Sequence, residues 1–225
     1  MTRSGTTTAL AVLALLAAGC ASEPVYLKTG NPSGPPPWRA VLLPVIPASP
    51  AEGEEVPDFS YDLLEEVRGC LAMKIPQDAY QLISLPRVDR AIPLSEGPVE
   101  GEAEMARAGQ ALAADLVIQP ELFARDRSYY LIQSVARVGM RVKIYDGRTG
   151  KLLVESSHEQ VRNQGLQKIP VWTGGLVYGP IRGLLHGQML AICDSVATRI
   201  GEDLAKFSDS GLTEAGTAQA EPATN

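Results

Sequence analysis

Two glycines and a lysine stand together in Tyr145–Val154, YDGRTGKLLV, after an apolar run. Those residue types build phosphate-binding loops, and a nucleotide enzyme would follow from one. Such a loop needs G-x-x-x-x-G-K-[ST] between a strand and a helix. Here Gly147 and Gly150 are three positions apart, and Leu152 follows Lys151 where a magnesium-binding hydroxyl belongs. The flanks alternate like strands, and Asp146-Gly147 and Thr149-Gly150 are turn dipeptides. The stretch reads as a hairpin tip.

Two histidines exist, His158 and His186, neither with a ligand or general-base partner at a recognisable spacing. They read as surface histidines, and no metal site is expected. No G-x-S-x-G nucleophile elbow occurs. Glu65-Glu66 and the acidic run Glu52–Glu55 read as solvated charge, not an acid/base pair. Cys70 and Cys193 fall on apolar faces of expected helices. They either join in a disulfide or pack as small hydrophobes. Asn163–Gly183 holds five glycines and two prolines and reads as a loop, in which Trp172 and Tyr178 are candidate binding residues. Neither a catalytic constellation nor a cofactor motif emerges.

The elements that position these residues are legible. Arg39–Ile46, RAVLLPVI, is an unbroken apolar run, as in a strand buried on both faces. Ser60 caps a helix whose stripe is Leu63, Leu64, Val67, Cys70 and Leu71, and Pro76 ends it. Tyr80–Leu85 reads as a second strand, Glu102–Ala114 as a second helix, and Leu116–Ala124 as a third strand with Pro120 hinting at an edge or bulge. From Tyr130 to Ile144 the even positions are largely apolar, while Gln133, Arg137, Arg141 and Lys143 take odd ones. One strand of that length spans about 50 Å at ~3.3 Å per residue, so a bend near Ser134 or Gly139 is expected. Lys151–Ser157 is the next strand. Leu184–Phe207 is a terminal helix with Leu185, Met189, Cys193, Val196, Ile200 and Leu204 on one face. The order is β-α-β-α-β-β-β-α. This is an α/β (α+β) single domain with a mixed sheet of about five strands flanked by helices.

The ends place the domain. Arg3, a polar spacer and the apolar run Ala9–Ala18 have the layout of a secretory signal, too short to span a bilayer as a helix. The run leads into Leu16-Ala17-Ala18-Gly19-Cys20, which resembles the lipobox of bacterial lipoproteins. The resemblance implies that Cys20 takes a diacylglycerol and that residues 1–19 are removed. Ala17 stands where leucine is usual, and Ala21 in place of aspartate implies sorting to the outer membrane. Two or three acyl chains, at about 0.8 kcal/mol per buried methylene, hold such a protein firmly in lipid. Residues 20–38 then read as the lipidated N-terminus and a proline- and glycine-rich tether. Residues 39–207 read as a periplasmic domain, and 208–225 as a disordered tail. The net charge is −6, and loss of Arg3 with the signal makes it −7. That argues against non-specific nucleic-acid binding.

Three segments carry a wider resemblance: VLLPVIPAS at Val41–Ser49, ADLVIQPEL at Ala114–Leu122, and SYYLIQSVARVGMRVKIYDGRTGKLLVESS at Ser128–Ser157. They resemble a family of bacterial lipoproteins of unknown function, with an alanine-aspartate strand start, a Y-x-x-x-x-S-V segment and a strand ending in D-x-R-T-G-K. Similar hairpins occur in the curli-secretion channel lipoprotein and in lipoprotein activators of peptidoglycan synthases, which look like relatives of the TolB N-terminal domain. The resemblance implies a mixed sheet flanked by helices and carries over no catalytic residue.

The resulting expectation is a non-enzymatic outer-membrane lipoprotein whose domain binds or assembles envelope proteins, with homo-oligomers allowed. One alternative is a secretion-pore subunit, which needs a pair of membrane-length strands with one lipid-facing side. Tyr130–Ile144 supplies one, and Lys151–Ser157 is too short to be its partner. The other is a small-ligand protein using the glycine-rich loop.

Overall fold

The computed structural model describes residues 24–48, 61–92, 99, 101–130, 133–165 and 178–218, and of 123–137, 161–165, 178–189 and 211–218 the backbone alone. The strands are β1 (Val25–Lys28), β2 (Trp38–Leu42), β3 (Ile46–Pro47), β4 (Tyr80–Leu82), β5 (Leu116–Tyr130), β6 (Gln133–Asp146) and β7 (Leu152–Gly165). The helices are α1 (Tyr61–Lys74), α2 (Leu85–Ala91), α3 (Glu102–Leu112) and α4 (Tyr178–Ala218). They form an α+β domain around one mixed sheet, in the strand order β1-β7-β6-β5-β2-β4, with β3 pairing β5 off that path. β2 runs parallel to β4 and β5, whereas β5, β6, β7 and β1 are successively antiparallel.

The expected sheet gains strands at its margins. Val25–Lys28, read as tether, pairs with β7 and makes the sheet's edge. Trp38, read as the tether's end, is 2% exposed and packs its ring against Tyr80 and Phe207. The apolar run Arg39–Ile46 divides into β2 and the short β3, because the chain leaves β2 before Pro44, which has no N–H to give a ladder. Tyr80–Leu85 is strand only to Leu82, and Leu85 opens α2 with Pro86 in its first turn, where a missing N–H costs nothing.

The long alternating run differs most from expectation. Tyr130 closes β5 and pairs with Gln133, which opens β6, so the alternation belongs to two strands. The register irregularity does fall opposite Gly139, but the extra residue lies on β5, between Leu122 and Ala124. β7 runs to Gly165, well past Ser157, and β6 therefore has a partner of its own length on each side.

Helices α1 and α4 cover one face of the sheet. Leu63, Val67 and Leu71 of α1 and Ile192, Val196 and Ile200 of α4 meet the fully buried row Val138, Met140, Val142 and Ile144 of β6. Gly201 permits close approach, since a Cβ there would lie 2.5 Å from the Lys74 carbonyl oxygen. Lys74 and Asp194 clasp the same helix pair at 3.0 Å. Arg68 of α1 is fully buried and offers one guanidinium nitrogen to the Leu42 carbonyl and another to Asp89 of α2. On the other face, Val88 of α2 with Met105 and Leu112 of α3 cover Val41, Leu43 and Val117. That second layer sits over β2 and β5. α3 also reaches the end of β6, where Tyr145 packs against this layer, whereas no described helix packs on that face of β7.

The terminal helix outruns its expected end. Ser208–Ala218, read as disordered tail, continues α4. Ser208 is buried, and Ser210 accepts a hydrogen bond from Lys28 of β1 at 2.9 Å. Both apparent tails therefore meet beside β7. No helix among the described residues is long and apolar enough to cross a membrane.

Candidate functional site

The Asp146–Lys151 stretch is the turn joining β6 to β7. Asp146 Oδ1 accepts from the backbone N–H groups of Arg148 and Thr149 and from the Thr149 hydroxyl. Burial raises the Asp146 pKa, but these bonds and one from Ser33 outweigh it and hold the carboxyl below its usual value. The amides a phosphate would need are thus turned onto the protein's own carboxylate. Gly150 has φ +73°, and a Cβ there would lie 1.7 Å from the Glu102 carbonyl oxygen at the start of α3. A Cβ on Gly147 would lie 2.2 Å from the Ala114 carbonyl oxygen. The glycines are there for packing, and Lys151 is exposed.

His158 lies inside β7, buried, where a surface histidine was expected. Its Nε2 is 2.7 Å from Asp203 Oδ2 of α4. Ser156 donates to the same oxygen at 2.8 Å, and Lys206 donates to Oδ1 at 2.7 Å. Burial raises the Asp203 pKa, but the bonds from Lys206, His158 and Ser156 outweigh it and keep the carboxyl ionised below the usual range. Serine, histidine and aspartate here do not form a nucleophilic triad, in which serine must hand its proton to histidine. Both Ser156 and His158 point to the aspartate, so the cluster is a clasp between strand and helix. Spacing could not reveal it, because Asp203 lies 45 residues from His158. His186 falls in α4, and its side chain lies outside the described ones.

The face of β6 and β7 opposite α4 carries the third cluster. Glu121 of β5 meets Lys143 at 2.8 Å and Arg141 at 3.4 Å, and Arg141 reaches Glu155 of β7 at 3.1 Å. Burial, then Glu121 and Glu155, push the Tyr145 hydroxyl up to about 12, so it stays protonated as a hydrogen-bond donor. Gln119, Glu121, Arg141, Lys143 and Tyr145 line a cavity of about 340 Å³ shared with Met105 and Ile46. Register continues the strip across Ser157 to Val25 and Leu27 of β1, which are 49% and 51% exposed. The odd-numbered polar positions of the alternating run were the sequence signal for this face. Their carboxylate partners on β5 and β7 needed the register.

The other candidates are placed as follows. Cys20 and Trp172 lie outside the described residues. Tyr178 is the first residue of α4, and the 178–183 part of the expected glycine-rich loop is helical. Asn163–Gly165, also assigned to that loop, belongs to β7. Cys70 is partly exposed, Cys193 is buried, and no disulfide joins them. Among the described residues, no three His, Cys, Asp or Glu side chains gather as a metal would require.

No protein-family model matches the chain, and no curated protein matches it by sequence. Solved structures with a similar chain path include bacterial lipoproteins. Lipoprotein GNA1162 from Neisseria meningitidis has 16% identity and TM-score 0.42, covering 69% of this chain and 96% of that one. A PelC dodecamer from Paraburkholderia phytofirmans has 9% identity and TM-score 0.41, covering 80% and 96%. The LpoB C-terminal domain from Salmonella enterica has 11% identity and TM-score 0.33, covering 69% and 94%.

Proposed function

We propose that the chain is a non-enzymatic outer-membrane lipoprotein, anchored through acylated Cys20, whose periplasmic domain docks other envelope proteins. The observation that carries this reading is the strip of charge on the sheet's second face. One face is covered by α1 and α4, while on the other α3 reaches only the Tyr145 end of β6, and Arg141, Lys143 and Glu155 form an ion-paired strip across β6 and β7. Charged and amphipathic side chains held rigid on a sheet suit a polar, reversible protein interface. Crosslinking in cells followed by purification of the chain tests the reading. Recovery of a defined envelope protein supports it, and recovery of none opposes it.

One observation favours the secretion-pore reading. β5, β6 and β7 have 15, 14 and 14 residues, enough for membrane-length strands, so the expected lack of a long partner does not hold. The rows set by register oppose it. One row contains Arg125, Val138 and Gln160, then Arg127, Ala136 and Arg162. The other contains Asp126, Arg137 and Val161, then Ser128, Val135 and Asn163. Neither supplies an apolar band, and each arginine on a lipid face costs about 2–4 kcal/mol at the bilayer midplane.

A further inference from the structure

Only Ala21 to Pro24 separate Cys20 from the first residue of β1. Five Cα steps at about 3.3–3.6 Å reach at most about 18 Å. An acyl anchor on Cys20 therefore leaves β1 little room to leave the bilayer surface, whose polar region is itself about 5–7 Å deep on each side. β1 is also the sheet's outermost strand, with an unpaired outer edge among the described elements. Its Val25, Tyr26 and Leu27 are 49%, 40% and 51% exposed, three successive large apolar side chains beside the anchor. Tyrosine, with an apolar ring and a polar tip, is enriched at the level of lipid headgroups. The opposite edge, β4, lies five strand spacings away, about 24 Å at ~4.8 Å each.

We propose that the β1 edge rests on the bilayer to which the protein is anchored, with Val25, Tyr26 and Leu27 among the lipid headgroups and the sheet standing edge-on to the membrane. The proposal rests on the lipid-anchor reading and adds an orientation to it. The open face of β6 and β7 then stands sideways, reachable by a partner alongside it in the periplasm. β4 and α2 point away from the lipid. The net charge of −7 on the mature chain opposes attraction to anionic headgroups, and Val25, Tyr26 and Leu27 make the contact chiefly an apolar one.

The test uses the full mature protein, purified with its anchor and reconstituted into phosphatidylethanolamine–phosphatidylglycerol vesicles. A genetically encoded environment-sensitive fluorophore replaces Leu27, Val25 or Gln81 one at a time. Gln81 is exposed on β4 and is the far-edge reference. Two β1 positions guard against one substitution disturbing the strand. The expected result is blue-shifted emission at positions 25 and 27 that nitroxide-labelled lipids quench several-fold more than emission at 81. Equal quenching at both edges of an acylated protein overturns the orientation and leaves the anchor reading standing. An intact mass without acyl chains on Cys20 overturns the anchor reading and the orientation together. A blue shift at 27 that lipid nitroxides do not quench, and that fades as protein is diluted in lipid, identifies a second copy on this edge and also overturns the proposal.

Discussion

Asp203 shows how a single carboxylate can hold two elements without doing chemistry. It gathers Ser156, His158 and Lys206 from β7 and α4 within 2.7–2.8 Å. Replacing it with alanine leaves buried polar groups of β7 unpaired. Asp203→Ala should therefore cost about 2–4 kcal/mol at pH 7, measured by urea unfolding. Its folded pKa lies below the ordinary value of 3.8, so its contribution is present at neutral pH and is lost as pH falls below that value. The gap between wild type and variant should narrow accordingly at low pH, and a gap that widens there would be contrary. Glycine and lysine of the β6–β7 turn make the second contrast at this scale. Gly150→Ala forces a Cβ into the Glu102 carbonyl at a positive φ and should cost at least about 2–3 kcal/mol. Lys151→Ala, on an exposed side chain, should change stability by less than about 0.5 kcal/mol. A phosphate loop would give the reverse emphasis, with Lys151 decisive for ligand binding.

Among the elements, local pattern succeeded where one face alone is buried. The α1 stripe, the Glu102 start of α3 and the even-numbered row Val138–Ile144 each declare themselves through periodicity, and each sits where that periodicity puts it. Pattern failed where two strands continue one another's alternation. Tyr130 and Gln133 pair across a reversal, yet nothing in the run between them breaks the two-residue period. It failed again at the margins. A proline-rich approach to Trp38 has a tether's composition, but the indole is a core side chain, and only the fold brings Tyr80 and Phe207 to meet it. Ser208 and Ser210 read as tail because small polar residues carry no apolar period, although their hydroxyls bond to the helix itself. A test follows from the boundary. A chain beginning at Arg39 lacks β1 and Trp38 and should be about 3–5 kcal/mol less stable in urea than one beginning at Pro24. Equal midpoints would return Val25–Trp38 to the status of a tether. The polar strip of the candidate site was half legible: Arg141 and Lys143 stood out as odd-numbered charges, but Glu121 and Glu155 join them only through the β5–β6–β7 register.

At the scale of the whole molecule the sheet is asymmetric. Beside α1 and α4 it is closed by a continuous core, while over β6 and β7 its other face is a lattice of charge held between strands. The long hairpins suggest a barrel wall, but both rows are interrupted by charged and polar residues. Size measurement in detergent should therefore find a monomer or small oligomer, and a large ring would revive the pore reading. The central claim is that the open face receives an envelope protein. Its most direct measurement is site-specific photocrosslinking in cells, with the crosslinker at Ser157 on that face and, for comparison, at Met73 on α1, where the side chain is 71% exposed. The account predicts a discrete adduct with an envelope protein from position 157 and not from 73, abolished by Arg141→Glu with Lys143→Glu in a chain that still folds. No adduct from 157, or one indifferent to that charge reversal, would contradict it.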